Sequence, residues 1–446
     1  MAQQSIDRLE SNVRGYVRSF PTVFESATGS WLIDQSGRRY LDFFAGAGTL
    51  NYGHNNSAVK QALIAYLEKD GVVHGLDMAT TAKVELIEAI EEILLKPRNM
   101  DYKVQFTGPT GTNAVEAAIK LARKSKQRSH VVAFTNAYHG HSLGSLALTG
   151  NQYYHDISYG SHNNVSHLPF DGYLGDLDTS TLLEKMLQDG SSGLPRPAAV
   201  ILETVQGEGG INVASEKWLL NIARICNAHD VLLIVDEIQV GNGRTGTFFS
   251  FEHTGIQPDI VCISKAFGGG LPMSILLMKR ECDTWNPGEH TGTFRGNNLA
   301  FVAAKVLLDY WRTDALSLQI KSHAVMIEKR LRQIMRDFGS ACSAVRGRGM
   351  IWGLEFSNDS TASQVCRNAF ERGLMVETSG ARDHVVKLLP PLTISTDDLR
   401  LGLEILSDSV DAIRSMQEIP KPTVVPDSSD PLGLSFSMPI GSFASL

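Results

Sequence analysis

The hydrophobic pattern changes its period along the chain, and those changes divide it. From about residue 84 to 310, short apolar runs alternate with helical patterns and glycine-rich connections. Such alternation predicts an α/β unit with a mostly parallel sheet. Four runs read as strands: HVVAFT (130–135), AAVILE (198–203), VLLIVDE (231–237) and DIVCIS (259–264). They are apolar at consecutive positions rather than alternate ones, which predicts burial on both faces. Between them, NAVEAAIKLARK (113–124) sets Ala114, Ala117, Ala118 and Leu121 at helical spacing, so one face of a helix is expected on the sheet.

Beyond residue 311 longer amphipathic helices take over, as in LQIKSHAVMIEKRLRQIMRDF, with short strands near MIWGLEF and HVVKLL. A smaller α+β domain is expected there. Near the N-terminus, WLIDQSGRRYLDF reads as two short strands around an Asp-Gln-Ser-Gly turn, placed to pair with the smaller domain or to cover a site. The expected organisation is an N-terminal segment (1–65), a large domain (66–310), a small domain (311–415) and a tail (416–446). The tail is rich in Pro and Ser and reads as extended or disordered. Its hydrophobes, among them Leu432, Leu434, Phe436 and Phe443, would alternatively dock on a neighbouring subunit.

Composition adds exclusions. The 446 residues are 43% hydrophobic and 20% charged, ordinary for a globular chain with a large core. A balance of 41 basic against 48 acidic residues, with no basic cluster, predicts neither a nucleic-acid nor a membrane surface. The N-terminal MAQQSIDRLESNVRGYVRSF mixes acids with arginines and lacks the apolar core of a signal peptide. Cys226, Cys262, Cys282, Cys342 and Cys366 are widely spaced and never form Cys-x-x-Cys, so they read as reduced packing thiols, with no zinc or disulfide framework. The cytoplasm is the expected compartment, and no metal is expected.

Candidate chemistry gathers at the carboxyl ends of the predicted strands, where parallel α/β sheets bind ligands. Lys265 follows DIVCIS, Asp236 and Gln239 close VLLIVDEIQ, and Tyr138 and His139 follow HVVAFT. A lysine desolvated at a strand end can become a nucleophilic amine, and Gly268, Gly269 and Gly270 would let the backbone approach a bulky ligand. Lys265 and its glycines alone fit an idle lysine before a turn equally well. A buried Asp236 without an adjacent basic residue needs a cationic partner, such as a protonated pyridine nitrogen, or else caps the next turn. In FTGPTGTNAVEAAIKLAR (106–123) small residues lead into a helix, so Gly111, Thr112 and the hydroxyl of Thr110 offer an anion site or an ordinary capped helix start. The Gly-Lys-Ser/Thr ending of a nucleotide P-loop is missing. An anion site, an electron-sink partner and a Schiff-base lysine together describe pyridoxal 5′-phosphate.

With VILETVQGEGG, VDEIQVGNGRTG, PDIVCISKAFGGGLP and GTFRGNNLA in order, the chain from about residue 10 to 415 resembles the class III (ω-amino acid) aminotransferases. These are fold-type I pyridoxal phosphate enzymes. The resemblance implies a large domain with a mostly parallel seven-stranded sheet between helices, plus a smaller α+β domain. It implies that Lys265 carries the cofactor as a Schiff base, that Asp236 pairs with the pyridine nitrogen and that Gln239 reaches the phenolic oxygen. Gly111 and Thr112 would hold the phosphate, joined by Thr293 of a neighbouring subunit, so the active unit would be at least a dimer. Tyr138 would stack on the ring face with His139 beside it.

Within that family, RSFPTVFESATGSWLIDQSGRRYLDFFAGAGTLNYGHNN and VVKLLPPLTIS resemble the subgroup of ectoine biosynthesis that exchanges the 4-amino group of L-2,4-diaminobutyrate with 2-oxoglutarate. Where most of the family has arginine before x-x-Pro-Pro-Leu, this chain has Lys387. A lysine cannot form the two-pronged fork to a carboxylate that an arginine does. Lys387 is expected to meet the glutamate carboxylate as a point charge, with Glu208 of VQGEGG as its partner when the diamine is bound; a surface lysine is the plainer alternative. His141, where relatives vary between an uncharged residue and an arginine, would select substrate or be an ordinary loop histidine. Another diamino acid or semialdehyde, or an aminomutase reaction on the same scaffold, are the competing functions.

Overall fold

The computed structural model describes residues 2–160 and 164–416. The expectations for the Pro/Ser-rich tail fall beyond Met416, outside the described residues. Each apolar run forms a strand of one seven-stranded sheet: β1 Tyr102–Phe106, β2 Val131–Phe134, β3 Val165–Leu168, β4 Ala199–Leu202, β5 Leu232–Asp236, β6 Ile260–Ile263 and β7 Ile275–Lys279. Their spatial order is β1-β7-β6-β5-β4-β2-β3. All neighbours pair in parallel except β7, which runs antiparallel to both β6 and β1. Every position of β2, β4, β5 and β6 is buried, as their unbroken apolar character requires.

Helices cover both faces. On one, Gly111–Lys126 buries Ala114, Ala117, Ala118 and Leu121 against the sheet. The alanines let the helix axis come close. On the other face, Glu216–Ala228 inserts Trp218, Leu219, Ile222 and Ile225 into the larger core. Each such side chain, taken from water, contributes about 1.5–3 kcal/mol.

The N-terminal strands Phe24–Thr28, Trp31–Asp34 and Arg39–Asp42 form an antiparallel meander. Leu374–Met375 joins its last strand in parallel, so the chain's beginning is stitched to its C-terminal region. A second antiparallel sheet contains, in order, Cys342–Arg348, Ile351–Phe356, Val385–Leu388 and Glu377–Ser379. Helices Ala315–Phe338, Asp359–Glu371 and Thr396–Met416 pack with it around Leu331, Leu354, Phe356, Val386 and Leu403. All five cysteines are free thiols, and all but Cys366 are buried. Among the described residues, no helix is long and apolar enough to cross a membrane, and no cluster of three potential ligands is placed to hold a metal ion.

Candidate active site

Parallel pairing of β2, β4, β5 and β6 puts their carboxyl ends on one edge. Asp236 is the last residue of β5, in register with Cys262 of β6. Two residues past β6, Lys265 opens a short turn, Lys265–Gly268, with φ +49°, the left-handed region that non-glycine residues seldom occupy. Burial pushes the Lys265 ammonium below its usual range, with Lys387 acting in the same sense and Glu208 against it. Among the described residues no hydrogen bond engages its nitrogen. The glycines that follow are packed closely by the chain itself: a Cβ at Gly269 would meet Leu307 and Ala303, and one at Gly270 would meet Leu50.

Asp236 has a partner that the sequence did not suggest. Its Oδ2 accepts from His139 Nδ1 at 2.8 Å, and its Oδ1 accepts the Ile238 N–H at 3.0 Å. Both side chains are buried. Burial alone would lower the imidazole's pKa, but the bond and charge of Asp236 outweigh it and raise it. His139 therefore sits behind the carboxylate, and its Nε2 has no partner. Nearby, the buried Glu203 accepts the Tyr138 N–H at 3.0 Å; burial pushes its carboxyl up to about 7.

Gln239, three residues beyond Asp236, donates its amide to Glu208 Oε1 at 2.9 Å and to the Ala47 carbonyl at 3.1 Å. Its own oxygen is buried and has no hydrogen-bond partner among the described residues. At the start of helix Gly111–Lys126, the amides of Gly111 and Thr112 have no acceptor within the helix, and no side chain caps them. The Thr110 hydroxyl is spent on Asn113 Oδ1 at 2.8 Å. Thr112 joins a hydroxyl cluster with Ser142 and Ser145, and Ser142 donates to Glu116 Oε1 at 2.6 Å. These serines follow Tyr138-His139 in the chain and carry no motif of their own.

Tyr138, His141 and Tyr154 form an aromatic wall, with His141 5.3 Å from the first ring and 4.6 Å from the second. Burial lowers the His141 pKa against the pull of Glu208, which favours the neutral ring. Thr293 is exposed, and its carbonyl accepts from His74 Nε2 at 2.6 Å. Among the described residues it makes no hydrogen bond with Lys265, Asp236, Gln239 or Thr112.

Lys387 is no surface lysine; it is fully buried in strand Val385–Leu388. Its ammonium lies 2.7 Å from Glu208 and 3.0 Å from Glu377. Burial works to lower its pKa, but the two carboxylates overcome that and hold it charged. Burial likewise opposes ionisation of Glu208, yet Lys387, Lys265 and the Gln239 amide bring it down to about 2. Glu377, which sequence reasoning missed, stands directly opposite Lys387 in the antiparallel register of Glu377–Ser379 with Val385–Leu388. Its signal was a glutamate ten positions before the lysine across a glycine-containing turn.

Residues 14–410 match the aminotransferase class-III family, and the chain belongs to it. It is a pyridoxal phosphate-dependent transaminase. Relatives named diaminobutyrate–2-oxoglutarate transaminase include one from Wolinella succinogenes, 53% identical over 92% of this chain and 97% of that one. Another, from Bordetella parapertussis, is 55% identical over 92% and 96%. Among solved structures, the ornithine aminotransferase of Toxoplasma gondii superposes with a TM-score of 0.80 at 25% identity, covering 93% of this chain and 94% of its own. The residues present fit the cofactor: an uncapped helix start suits a phosphate, and an unengaged and depressed lysine suits an aldehyde.

Proposed function

We propose that this enzyme exchanges the 4-amino group of L-2,4-diaminobutyrate with 2-oxoglutarate, giving aspartate 4-semialdehyde and glutamate, in either direction and by a ping-pong mechanism. The carrying observation is the fully buried Lys387, paired with Glu208 next to Gln239, in a chain more than half identical to transaminases of that name. The cofactor, when bound, supplies an aldehyde that takes up the amino group and a conjugated ring that stabilises negative charge on the neighbouring carbon. Lys265 would hold the cofactor, and its Nζ, when free, would carry a proton to and from the reacting carbon. Asp236, oriented by His139, would keep the pyridine nitrogen charged. Gln239 would serve the phenolic oxygen, Tyr138 would cover the ring, and the Gly111 and Thr112 amides would hold the phosphate. His141, neutral, borders the substrate.

Lys387 meets a glutamate carboxylate as a point charge, while Glu208 masks it when the diamine is bound. The exposure of Thr293, with no hydrogen bond to the other site residues among the described residues, supports a homodimer in which it reaches the neighbouring subunit's phosphate. Free, mostly buried cysteines support a cytoplasmic enzyme. A donor panel on the holoenzyme tests the substrate: diaminobutyrate should give a kcat/KM at least tenfold above ornithine, lysine and 4-aminobutyrate, with 2-oxoglutarate as acceptor. A higher value for any of the other three would overturn the assignment.

A further inference from the structure

Charge does not balance around Lys387. One ammonium faces two carboxylates, and both of these line a cavity of about 520 Å³ that also touches Tyr16 and Tyr154. Glu208 is engaged twice, by Lys387 and by the Gln239 amide. Glu377 is buried and ion-paired with Lys387, and among the described residues its Oε1 receives no aligned hydrogen bond. A buried carboxylate short of donors is costly as an anion and less so as an acid.

On the reading proposed above, on which this inference rests, two unlike groups alternate beside Lys387: a carboxylate of the dicarboxylic partner, and the amino-acid end of a diamine. Adding the first to one ammonium and two carboxylates concentrates negative charge in a poorly solvated place, and one proton relieves it. We infer that Glu377 sets specificity by taking a proton from solvent when a carboxylate enters beside Lys387 and releasing it when the net-neutral amino-acid end of the diamine does. The proton rests on a Glu377 carboxyl oxygen, and no other bond is made or broken.

Among the described residues, Glu377 is surrounded by Lys387 of the adjoining strand, Glu208, Lys265, Tyr16 of the N-terminal segment and Cys366 of helix Asp359–Glu371, and Arg18, Tyr154, Arg367 and Asp383 line the same cavity. Lys387 is held charged and Glu208 ionised, while the Tyr16 phenol and the Cys366 thiol, both raised by partial desolvation and by Glu377, stay protonated. Burial pushes the Glu377 carboxyl up, Lys387 pulls it down, Glu208 pushes again and Lys265 pulls, which leaves it at about 7.

The test is calorimetry of glutarate, an unreactive dicarboxylate, binding to holoenzyme at pH 8 in two buffers of different ionisation enthalpy. Wild type should take up about one proton more per glutarate bound than Glu377→Gln. Its affinity should fall roughly tenfold per pH unit above 7, against less than about twofold for the variant. Protons taken up elsewhere are common to both proteins and cancel. Equal uptake with intact binding overturns the inference and leaves the acceptor assignment standing. If glutarate and 2-oxoglutarate bind neither protein, the acceptor assignment falls and the inference with it. Should the glutamine variant not fold, the wild-type count decides, and zero uptake at pH 8 overturns the proposal.

Discussion

Glu237 follows Asp236 directly and is fully buried, its carboxylate accepting the Ser250 N–H at 2.8 Å and the Ser250 hydroxyl. Burial, only partly offset by those bonds and by Arg348, raises its pKa from 4.5 to about 7. Between those values the folded chain holds a proton that the unfolded chain gives up, so this residue's contribution to stability declines as pH rises through the window. From pH 5.5 to 8 the decline amounts to about 2 kcal/mol, and Glu237→Gln should lack it. Urea midpoints of the two proteins across that range check this; parallel curves would mean that Glu237 binds no extra proton when folded. At this scale the sequence was partly legible. Lys265, Asp236 and Gln239 stand at strand ends within recognisable motifs, whereas the pairing of His139 with Asp236 and of Glu377 with Lys387 depends on which backbones lie side by side.

At the scale of elements, the start of helix Gly111–Lys126 and the loop after β5 constrain each other. A Cβ at Gly111 would lie 2.9 Å from Ile238 Cγ2 and 3.1 Å from its Cδ1. Ile238 also donates its N–H to Asp236, so displacing it disturbs the carboxylate as well as the anion-binding amides. Gly111→Ala should therefore cost about 1–3 kcal/mol of stability through overpacking. It should also weaken pyridoxal phosphate binding about tenfold, read by equilibrium dialysis; an unchanged dissociation constant would show that the helix start does not touch the cofactor. The strands of the large sheet were legible because buried parallel strands are apolar throughout. The reversal of β7 was not, since ILLMK has the same character in either direction. Nor was Leu374–Met375, too short to show any period, although it joins the N-terminal meander to the rest.

For the whole molecule, the open question is what fixes the small domain and the N-terminal segment against the sheet that carries Lys265. Arg244, in the GNGRTG stretch after β5, is fully buried and reaches both. Its guanidinium donates to the Met350 carbonyl at 3.0 Å, to the Pro390 carbonyl and to Asn51 Oδ1, while the Met350 N–H returns a bond to the Arg244 carbonyl at 2.8 Å. Gly349 makes this approach feasible: its φ is +60°, and a Cβ there would strike the Arg244 and Thr245 backbone. Burial costs the guanidinium enough to lower its pKa to about 9, with Asp42 and Tyr52 opposing. Replacing a buried charge by a hydrophobe of similar size is often harmless when its whole charge network goes with it. Here the acceptors are backbone carbonyls and an amide, which remain when the arginine goes and lose about 1–3 kcal/mol each if left unpaired. Arg244→Met should thus destabilise the holoenzyme by about 3 kcal/mol or more, with Arg244→Lys intermediate because one ammonium cannot span all three acceptors. Because the strand carrying Lys387 runs into Pro390, the methionine variant should also raise KM for 2-oxoglutarate more than it lowers kcat. Urea denaturation and steady-state kinetics check both, and a methionine variant as stable as wild type would show that the domains are held by their apolar contacts alone.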